Sequence, residues 1–311
     1  MTTQFHQSMK TIGTFLFITL VFSLLCVNSS KNHVAAKNHM SVFLNHIYII
    51  LDEATYEAIK SSDFLKTEFC HCQENSNTGA NDRGPIAWTG FYLIGENTYI
   101  ELFNQKDQET LYSIITGNIG LGFSVDRIEE LEKIYELFKQ TFGNSVNKSL
   151  MEKTVNGINI PWFYSVEATI KYSMLPKFDT WIMAYHHDYC KKFNSNDITR
   201  KGYNQNYNAI PYDKTKLFKD IQEVTLLLTD DIKKKFVDRQ TILGYTCEES
   251  DGNAICKGPE ITLIVKPSKN QTCKLTALHM SLNRTINGIR TYNLGNSMLV
   301  LEHQTATWMF E

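Results

Sequence analysis

Three apolar segments of the chain each end at an aspartate, and a stretch with the period of an amphipathic helix follows each of them. The segments are "NHIYIILD", "NIGLGFSVD" and "EVTLLLTD", which end at Asp52, Asp126 and Asp230. Runs rich in β-branched and aromatic residues predict strands. The aspartate stands where a helix N-cap is needed, because its carboxylate accepts hydrogen bonds from the first-turn N–H groups. Each segment therefore predicts a strand followed by a helix.

Further strands follow each predicted helix, so the strand and helix belong to a longer repeat. The first helix precedes "WTGFYLIG" and "TYIELFN", and the other two precede runs such as "WFYSVEATI" and "ITLIVKP". The unit of strand, helix and two or three strands spans roughly 43–105, 118–193 and 221–311. The polar stretch 194–220, rich in Asn and Tyr, is typical of a connector. The sequence predicts an α+β fold of three tandem units.

The first 35 residues differ in composition from the rest of the chain. Lys10 precedes an apolar run from Thr11 to Val27, and polar residues follow this run. This layout is typical of a secretory signal peptide, and an uncleaved membrane anchor is the alternative. The segment 1–35 therefore predicts a secreted or extracytoplasmic protein.

Charge limits the partners that the chain can have. The formal net charge is −2 and the sequence pI is about 6.5. Such a balance provides no broad basic field for nucleic acid, and no membrane contact is expected once the signal has been removed. We expect the partner to be a small molecule bound at a local site.

Cysteine usage agrees with export. Besides Cys26 the chain has six cysteines, and an even number in an exported protein favours disulfides. The stretch "TCEESDGNAICKG" predicts a hairpin with Asp251-Gly252 at its tip, which places Cys247 opposite Cys256. The "CHC" at 70–72 matches no standard zinc-site spacing and is not interpreted as a metal site. We predict a Cys247–Cys256 disulfide.

A histidine and a glutamate stand inside two of the predicted strands, His46 in the first and Glu101 in the last strand of the first unit. Side chains alternate between the faces of a strand, so His46 shares a face with Tyr48, and Glu101 with Tyr99. If both faces belong to one concave surface, the imidazole and the carboxylate converge among aromatic rings. The residues predicted to line a ligand site on this surface are Tyr48, Trp88, Tyr92, Tyr99 and Tyr185.

The opening "LNHIYIILDEATYEAI", the strand "GENTYIELFN" and the tandem units resemble the glyoxalase-like, or vicinal oxygen chelate, superfamily, nearest to a group of unassigned function. The resemblance implies curved mixed sheets of βαβββ units with helices on the outer face, residues 43–193 as one paired domain, and a third such unit at 221–311. It also implies that His46 and Glu101 are metal ligands in a concave cup, with Glu101 as a catalytic base.

The second unit departs from the pattern of that superfamily. Aligning the units places Gly120 opposite His46 and Met183 opposite Glu101, and neither residue is an ordinary ligand for a hard metal. His186 and His187, in "TWIMAYHHDYC", are the candidates for a third ligand, with His187 preferred because it alternates with Tyr185. Two histidines and one carboxylate would suit a divalent metal such as Fe, Zn, Mn or Ni.

Three functions remain open from the sequence. The first is an exported metal-dependent lyase, isomerase or dioxygenase that acts on a small oxygen-bearing molecule. The second is a non-catalytic protein that sequesters a small molecule in the same cup. The third is a structural or interaction protein with a vestigial cup. For the first two we expect His46 and Glu101 on one face of one sheet, within roughly 5 Å of each other for a shared metal. His279 and His303 are expected to be structural histidines without acidic neighbours.

Overall fold

The first unit begins with a strand, and the helix that follows it is capped by Asp52 as the sequence predicts. The carboxylate of Asp52 accepts a hydrogen bond from Thr55 N at 2.9 Å, at the start of the first helix. A short π-helical turn, Leu65–Phe69, follows this helix and leads into three strands. The elements of the unit are β1 (Phe43–Leu51), α1 (Glu53–Ser61), β2 (His71–Asn81), β3 (Gly84–Ile94) and β4 (Tyr99–Asn104).

The second unit repeats the order of strands and helix, but its helix lacks the aspartate N-cap of the first unit. Its first helix begins at Ile128, after Arg127, and has no side-chain cap, so the predicted cap at Asp126 is wrong. The helix has the predicted amphipathic character, with Leu131, Ile134 and Phe138 buried. The elements are β5 (Ile119–Ser124), α2 (Ile128–Phe142), β6 (Val146–Val155), β7 (Ile158–Ala168), β8 (Phe178–Tyr185) and α3 (His187–Lys192).

The third unit adds a long hairpin to the same pattern. The N-cap of this helix is Thr229, and Asp230 is its first residue. An acidic residue at this position is still favourable, because it lies at the positive end of the helix dipole. The elements are β9 (Phe218–Leu228), α4 (Asp230–Ile242), β10 (Thr246–Ser250), β11 (Asn253–Gly258), β12 (Ile261–Pro267), β13 (Lys274–Asn293) and β14 (Ser297–Phe310).

The described strands form two mixed sheets. The eight-stranded sheet has the order β2-β3-β4-β1-β5-β8-β7-β6, and the six-stranded sheet has the order β10-β11-β12-β9-β13-β14. The first strand of each unit pairs in parallel with the last: β1 with β4, β5 with β8, and β9 with β12. The first two units join through the antiparallel pair β1 and β5. The predicted fold class, α+β with tandem βαβββ units, is confirmed.

The eight-stranded sheet is so strongly curved that its two edge strands, β2 and β6, contact each other. Its convex side contributes to a continuous apolar core that also includes helix residues and the six-stranded sheet. Among the largest fully buried side chains in this core are Tyr56, Phe123, Phe138, Phe236 and Trp308. Separate apolar clusters, around Tyr92 and around Met183, lie on the concave side. The main core therefore lies on the convex face, and the concave face has smaller apolar clusters of its own.

The structure is a computed structural model that describes residues 41–81, 84–107, 116–168, 177–192, 212–270 and 272–311, with only the backbone of 77–81, 84–88 and 107. The predicted signal segment 1–35 and most of the connector 194–220 lie outside these ranges. Within them, no helix is long and apolar enough to cross a membrane.

One disulfide is present among the described residues, and it is the predicted bond between Cys247 and Cys256, which face each other across β10 and β11. The other described cysteines are thiols, namely Cys70, Cys72, Cys190 and Cys273. Cysteine parity thus predicted more pairing than the structure contains. Cys190 packs in the cluster around Met183, whereas Cys273 belongs to the main core, so these two thiols lie in different environments.

Candidate functional site

The concave face of the eight-stranded sheet brings together the histidine and the glutamate that the sequence singles out. In the parallel pair of β1 and β4, His46 lies opposite Tyr99 and Tyr48 lies opposite Glu101. Paired residues point to the same side of a sheet, and residues two apart on a strand share a face. All four side chains therefore lie on one face, which we call the cup.

His46 is held between aromatic rings. It stacks on Tyr99 with ring centroids 4.7 Å apart and meets the edge of Trp181 at 5.1 Å. Only 6% of its surface is exposed, and burial lowers the pKa of His46 from 6.5 to about 3. The imidazole is therefore neutral at pH 7, because a charge at this position would be poorly solvated.

The hydrogen bonds of Asn45 set the tautomer of His46. His46 Nδ1 lies 2.8 Å from Asn45 Oδ1, an oxygen that also accepts from the Tyr185 hydroxyl at 3.3 Å, while Asn45 Nδ2 donates to Ser124 Oγ at 3.4 Å. The β1–β5 register is irregular between Leu44 and His46, at the position of Asn45. Nδ1 therefore bears the proton, and Nε2 is the acceptor nitrogen.

Glu101 is partly buried in the same cup. Burial raises the pKa of Glu101 from 4.5 to about 8, although Lys153 and a hydrogen bond with Tyr99 act in the opposite direction. At neutral pH the carboxyl group is therefore mostly protonated and can donate a hydrogen bond. A carboxyl group with this pKa can gain and lose a proton near physiological pH.

Lys153 is a cup residue that the sequence did not single out. Its ammonium lies 4.8 Å from the centre of the Trp162 ring and 5.9 Å from that of Tyr189. Burial lowers the pKa of Lys153, and the nearby Glu101 raises it. The only signal in the sequence was alternation with Met151 along β6, which could not show that β6 curves round to face β4.

Two glycines of β5 make room for the rings of β1. A Cβ atom at Gly120 would lie 2.2 Å from the Tyr48 ring, and one at Gly122 would lie 2.5 Å from the His46 ring and 2.9 Å from Trp181. Gly120 occupies the position in the second unit that corresponds to His46. The departure of the second unit from the expected ligand pattern therefore has a steric reason: its glycines let the first unit's rings lie flat against the sheet.

Further aromatic residues line the cup. Tyr48 stacks on Trp181 at 5.9 Å and donates a hydrogen bond from its hydroxyl to Asp179 Oδ2 at 2.9 Å. Tyr92 is buried opposite Glu101 in the β3–β4 pair, and burial raises the pKa of Tyr185. Of the five predicted lining residues, Trp88 is the one whose side chain lies outside the described part of the structure.

The two histidines expected to supply a third metal ligand lie after the end of β8. His186 packs against Tyr164, with ring centroids 5.3 Å apart, and accepts a hydrogen bond from Asp188 N at 3.2 Å. His187 is exposed and begins α3. The alternation that placed His187 beside Tyr185 does not continue, because the chain turns from a strand into a helix. In the described ranges, no three His, Cys, Asp or Glu residues form a group that could hold a metal.

Fold and site together define an α+β protein of tandem βαβββ units with an aromatic cup that contains a neutral histidine and a protonated glutamate. The model of a family of unknown function, DUF5829, matches residues 44–310, and the chain belongs to this family. The comparison with curated proteins finds no match.

Among solved structures, a hypothetical protein from Staphylococcus aureus is similar over 84% of this chain and 99% of its own, with 12% identity and a TM-score of 0.52. This likeness concerns the fold alone. A xylose isomerase-like TIM barrel/4-hydroxyphenylpyruvate dioxygenase fusion protein (10% identity, 79% of this chain, 36% of its own, TM-score 0.42) is more distant. An extradiol ring-cleaving dioxygenase from B. fuscum is similarly distant, with 11% identity over 85% of this chain and 69% of its own and a TM-score of 0.40. Neither of these two structures says anything about the activity of this chain.

Proposed function

We propose that this chain is an exported glyoxalase-like protein that binds a small, planar, oxygen-bearing molecule in the cup. The main support is the juxtaposition of His46 and Glu101, a hydrogen-bond acceptor and a hydrogen-bond donor, on one face between aromatic rings. Apolar walls with a few convergent polar groups are typical of small-molecule sites.

The polarity of the cup defines the ligand. His46 Nε2 accepts a hydrogen bond, so the ligand needs a hydroxyl group at that point. Glu101 and Lys153 donate, so the ligand needs an oxygen acceptor on the other side. The stacked pairs His46–Tyr99 and Tyr48–Trp181 favour a flat molecule. A phenol or an enol with a second, neighbouring oxygen has all three features.

A metal-dependent lyase, isomerase or dioxygenase is the second candidate. Its support is that a buried histidine oriented through Nδ1 by a second residue is a common form of metal ligand. The donor set does not fit, however, because His46 and Glu101 lack a third ligand among the described residues. His186 lies between β8 and α3 and His187 begins α3, and a resident divalent cation is therefore the weaker proposal.

We further propose that the chain is exported and that its folded part consists of a paired domain at 43–193 and a third unit at 221–311. The apolar run after Lys10 and the Cys247–Cys256 disulfide support export. Sequencing the amino terminus of the protein recovered from outside the cell would test this. A terminus near residue 35 is expected, and an intact Met1 on cell-bound protein would favour the anchor.

Calorimetric titration with catechol tests the binding function. We expect His46→Ala and Glu101→Ala each to weaken catechol binding by roughly 5- to 100-fold, the cost of leaving one buried polar partner unpaired. Glu223→Gln, on the other sheet, is the matched control and should bind as the wild type does. Equal affinity in all four proteins, or no binding of catechol, would contradict the proposal.

Metal analysis of the same preparations separates the two candidates. We expect less than one divalent metal ion per wild-type chain and no change in His46→Ala. One tightly held Fe, Zn, Mn or Ni ion per chain that is lost in His46→Ala would instead favour the metal-dependent enzyme.

A further inference from the structure

Two cysteines with one residue between them face each other where the first unit turns from helix to strand. Cys70 follows the π-helical turn Leu65–Phe69, and Cys72 is the second residue of β2. Their sulfur atoms are 3.1 Å apart, about 1 Å beyond the length of a disulfide bond. Residues two apart on an extended segment share a face, so the backbone directs both thiols to the same side.

The surroundings of the two sulfur atoms contain one shared acceptor. Both thiols lie within reach of the Leu65 carbonyl, at 3.8 Å from Cys70 Sγ and 3.6 Å from Cys72 Sγ, and that carbonyl also accepts from Cys70 N at 3.0 Å. The helical turn thus holds the first cysteine while the strand holds the second. The side chains are already placed against each other, and bond formation needs only a small movement.

The two thiols differ in accessibility. Cys70 is fully buried, and burial raises the pKa of the Cys70 thiol, whereas Cys72 is partly exposed. A reagent from solvent therefore meets Cys72 first, and Cys70 lies behind it as the second thiol. This arrangement, one accessible and one buried sulfur atom in contact, is suited to thiol–disulfide exchange.

We propose that Cys70 and Cys72 form a reversible redox pair that is oxidised by small-molecule disulfides. The Cys72 thiolate attacks a disulfide RSSR, forms a mixed disulfide and releases one thiolate RS⁻. The Cys70 sulfur then attacks Cys72 Sγ, and the proton of Cys70 passes to the second RS⁻ as it leaves. The two cysteine thiols lose two electrons and two protons, and RSSR is reduced to two RSH.

Differential alkylation of the full chain with oxidised glutathione as the probe tests the pair. The reduced protein is treated with oxidised glutathione, quenched with N-ethylmaleimide in denaturant and digested with trypsin. Residues 67–83 form one tryptic peptide with Cys70 and Cys72 as its cysteines, so Cys26 does not interfere. We expect complete loss of alkylation at both positions, a mass lower by two hydrogen atoms, and normal alkylation of Cys190 and Cys273.

Two variants separate the steps. In Cys70→Ser the second step is blocked, so a mixed disulfide with glutathione should accumulate on Cys72. In Cys72→Ser the buried Cys70 should remain an unmodified thiol. Cys190→Ser, which removes another buried cysteine, is the matched control and should behave as the wild type does.

The wild-type peptide map decides the outcome even if a variant fails to fold. A stable glutathione adduct on wild-type Cys72, full alkylation of both cysteines after oxidation, or a disulfide from either one to another cysteine would each overturn the proposal.

Discussion

Each of the two sheets has a histidine beside a glutamate on a neighbouring strand, and the two pairs behave differently. In the cup His46 is 6% exposed among aromatic rings, and Glu101 shares its face. On the six-stranded sheet His279 Nε2 lies 3.3 Å from Glu223 Oε1, with side chains 44% and 29% exposed. The residue types are the same, whereas the access of water is not.

Burial decides what each pair can do. Both side chains of the outer pair are open to water, and a polar contact at such a solvated position contributes little to stability. In the cup a charge is poorly solvated, so the neutral forms of His46 and Glu101 are favoured, and each group keeps its capacity to donate or accept a proton. The comparison identifies the aromatic walls, rather than the two polar residues alone, as the origin of the site.

The largest expected effect concerns Glu101. Its pKa is raised from 4.5 to about 8 in the folded state, so between pH 4.5 and 8 the folded protein binds more protons than the unfolded one. Stability must therefore fall as pH rises through this window, by at most about 4–5 kcal/mol. Glu101→Gln should abolish that loss, and urea unfolding from pH 4 to 9 measures it.

Glu223→Gln is the control for this titration, because Glu223 lies beside a histidine but outside the cup. If Glu101→Gln and the wild type lose stability equally above pH 6.5, the carboxyl group is solvated, and the distinction between the two pairs fails.

His46 should give the opposite slope. Its pKa is lowered from 6.5 to about 3, so the unfolded state binds more protons between these values, and stability falls as the pH drops. The effect is again a few kcal/mol at most. The two slopes cancel between pH 4.5 and 6.5, which predicts a flat maximum there from these groups.

His46→Gln should remove the flat maximum of stability that the wild type has between pH 4.5 and 6.5. Its stability should fall steadily from pH 4.5 to 8, because the Glu101 slope is then unopposed. Urea unfolding at half-unit pH intervals gives the curve, and His279→Gln is the matched control. If the stability of His46→Gln depended on pH in the same way as that of the wild type, the imidazole would be accessible to water in the folded state.

A smaller effect is expected from the glycines of β5. In Gly122→Ala the new Cβ would lie 2.5 Å from the His46 ring, which is buried and has little room to move. Overpacking of this kind destabilises a protein by about 1–3 kcal/mol. Chemical denaturation measures the loss, and the His46→Ala/Gly122→Ala double variant should recover part of it.

Gly157→Ala controls for the effect of adding a methyl group elsewhere. Gly157 lies in the β6–β7 turn with φ +76° and no atom within 4 Å of a new Cβ. Gly157→Ala should lower stability only because alanine is strained at a positive φ, and it should leave catechol binding unchanged. Equal losses in Gly122→Ala with and without His46 would mean that the ring does not lie against β5.

The repeat could be predicted from the sequence because strand alternation and unit order are visible along the chain, and the resemblance to the glyoxalase-like superfamily added the expectation that His46 and Glu101 share one face. Lys153 could not, since its position depends on the curvature that brings β6 towards β4. His187 was misplaced relative to Tyr185, because alternation says nothing about where a strand ends. The expectation that His279 lacks an acidic neighbour was also wrong: β13 pairs with β9 and brings His279 opposite Glu223, a contact between residues far apart in the chain.

The smallest expected effect is that of the outer pair itself. His279 also contacts Thr307 through Nδ1, with Oγ1 at 2.9 Å, so the ring keeps one partner when Glu223 is changed. Because both side chains of this pair are partly exposed, a double-mutant cycle of Glu223→Gln and His279→Gln should give a coupling of less than about 1 kcal/mol. Raising the salt concentration should reduce it further. A coupling above about 2 kcal/mol would mean that this pair is desolvated like the one in the cup, and that exposure does not distinguish the two.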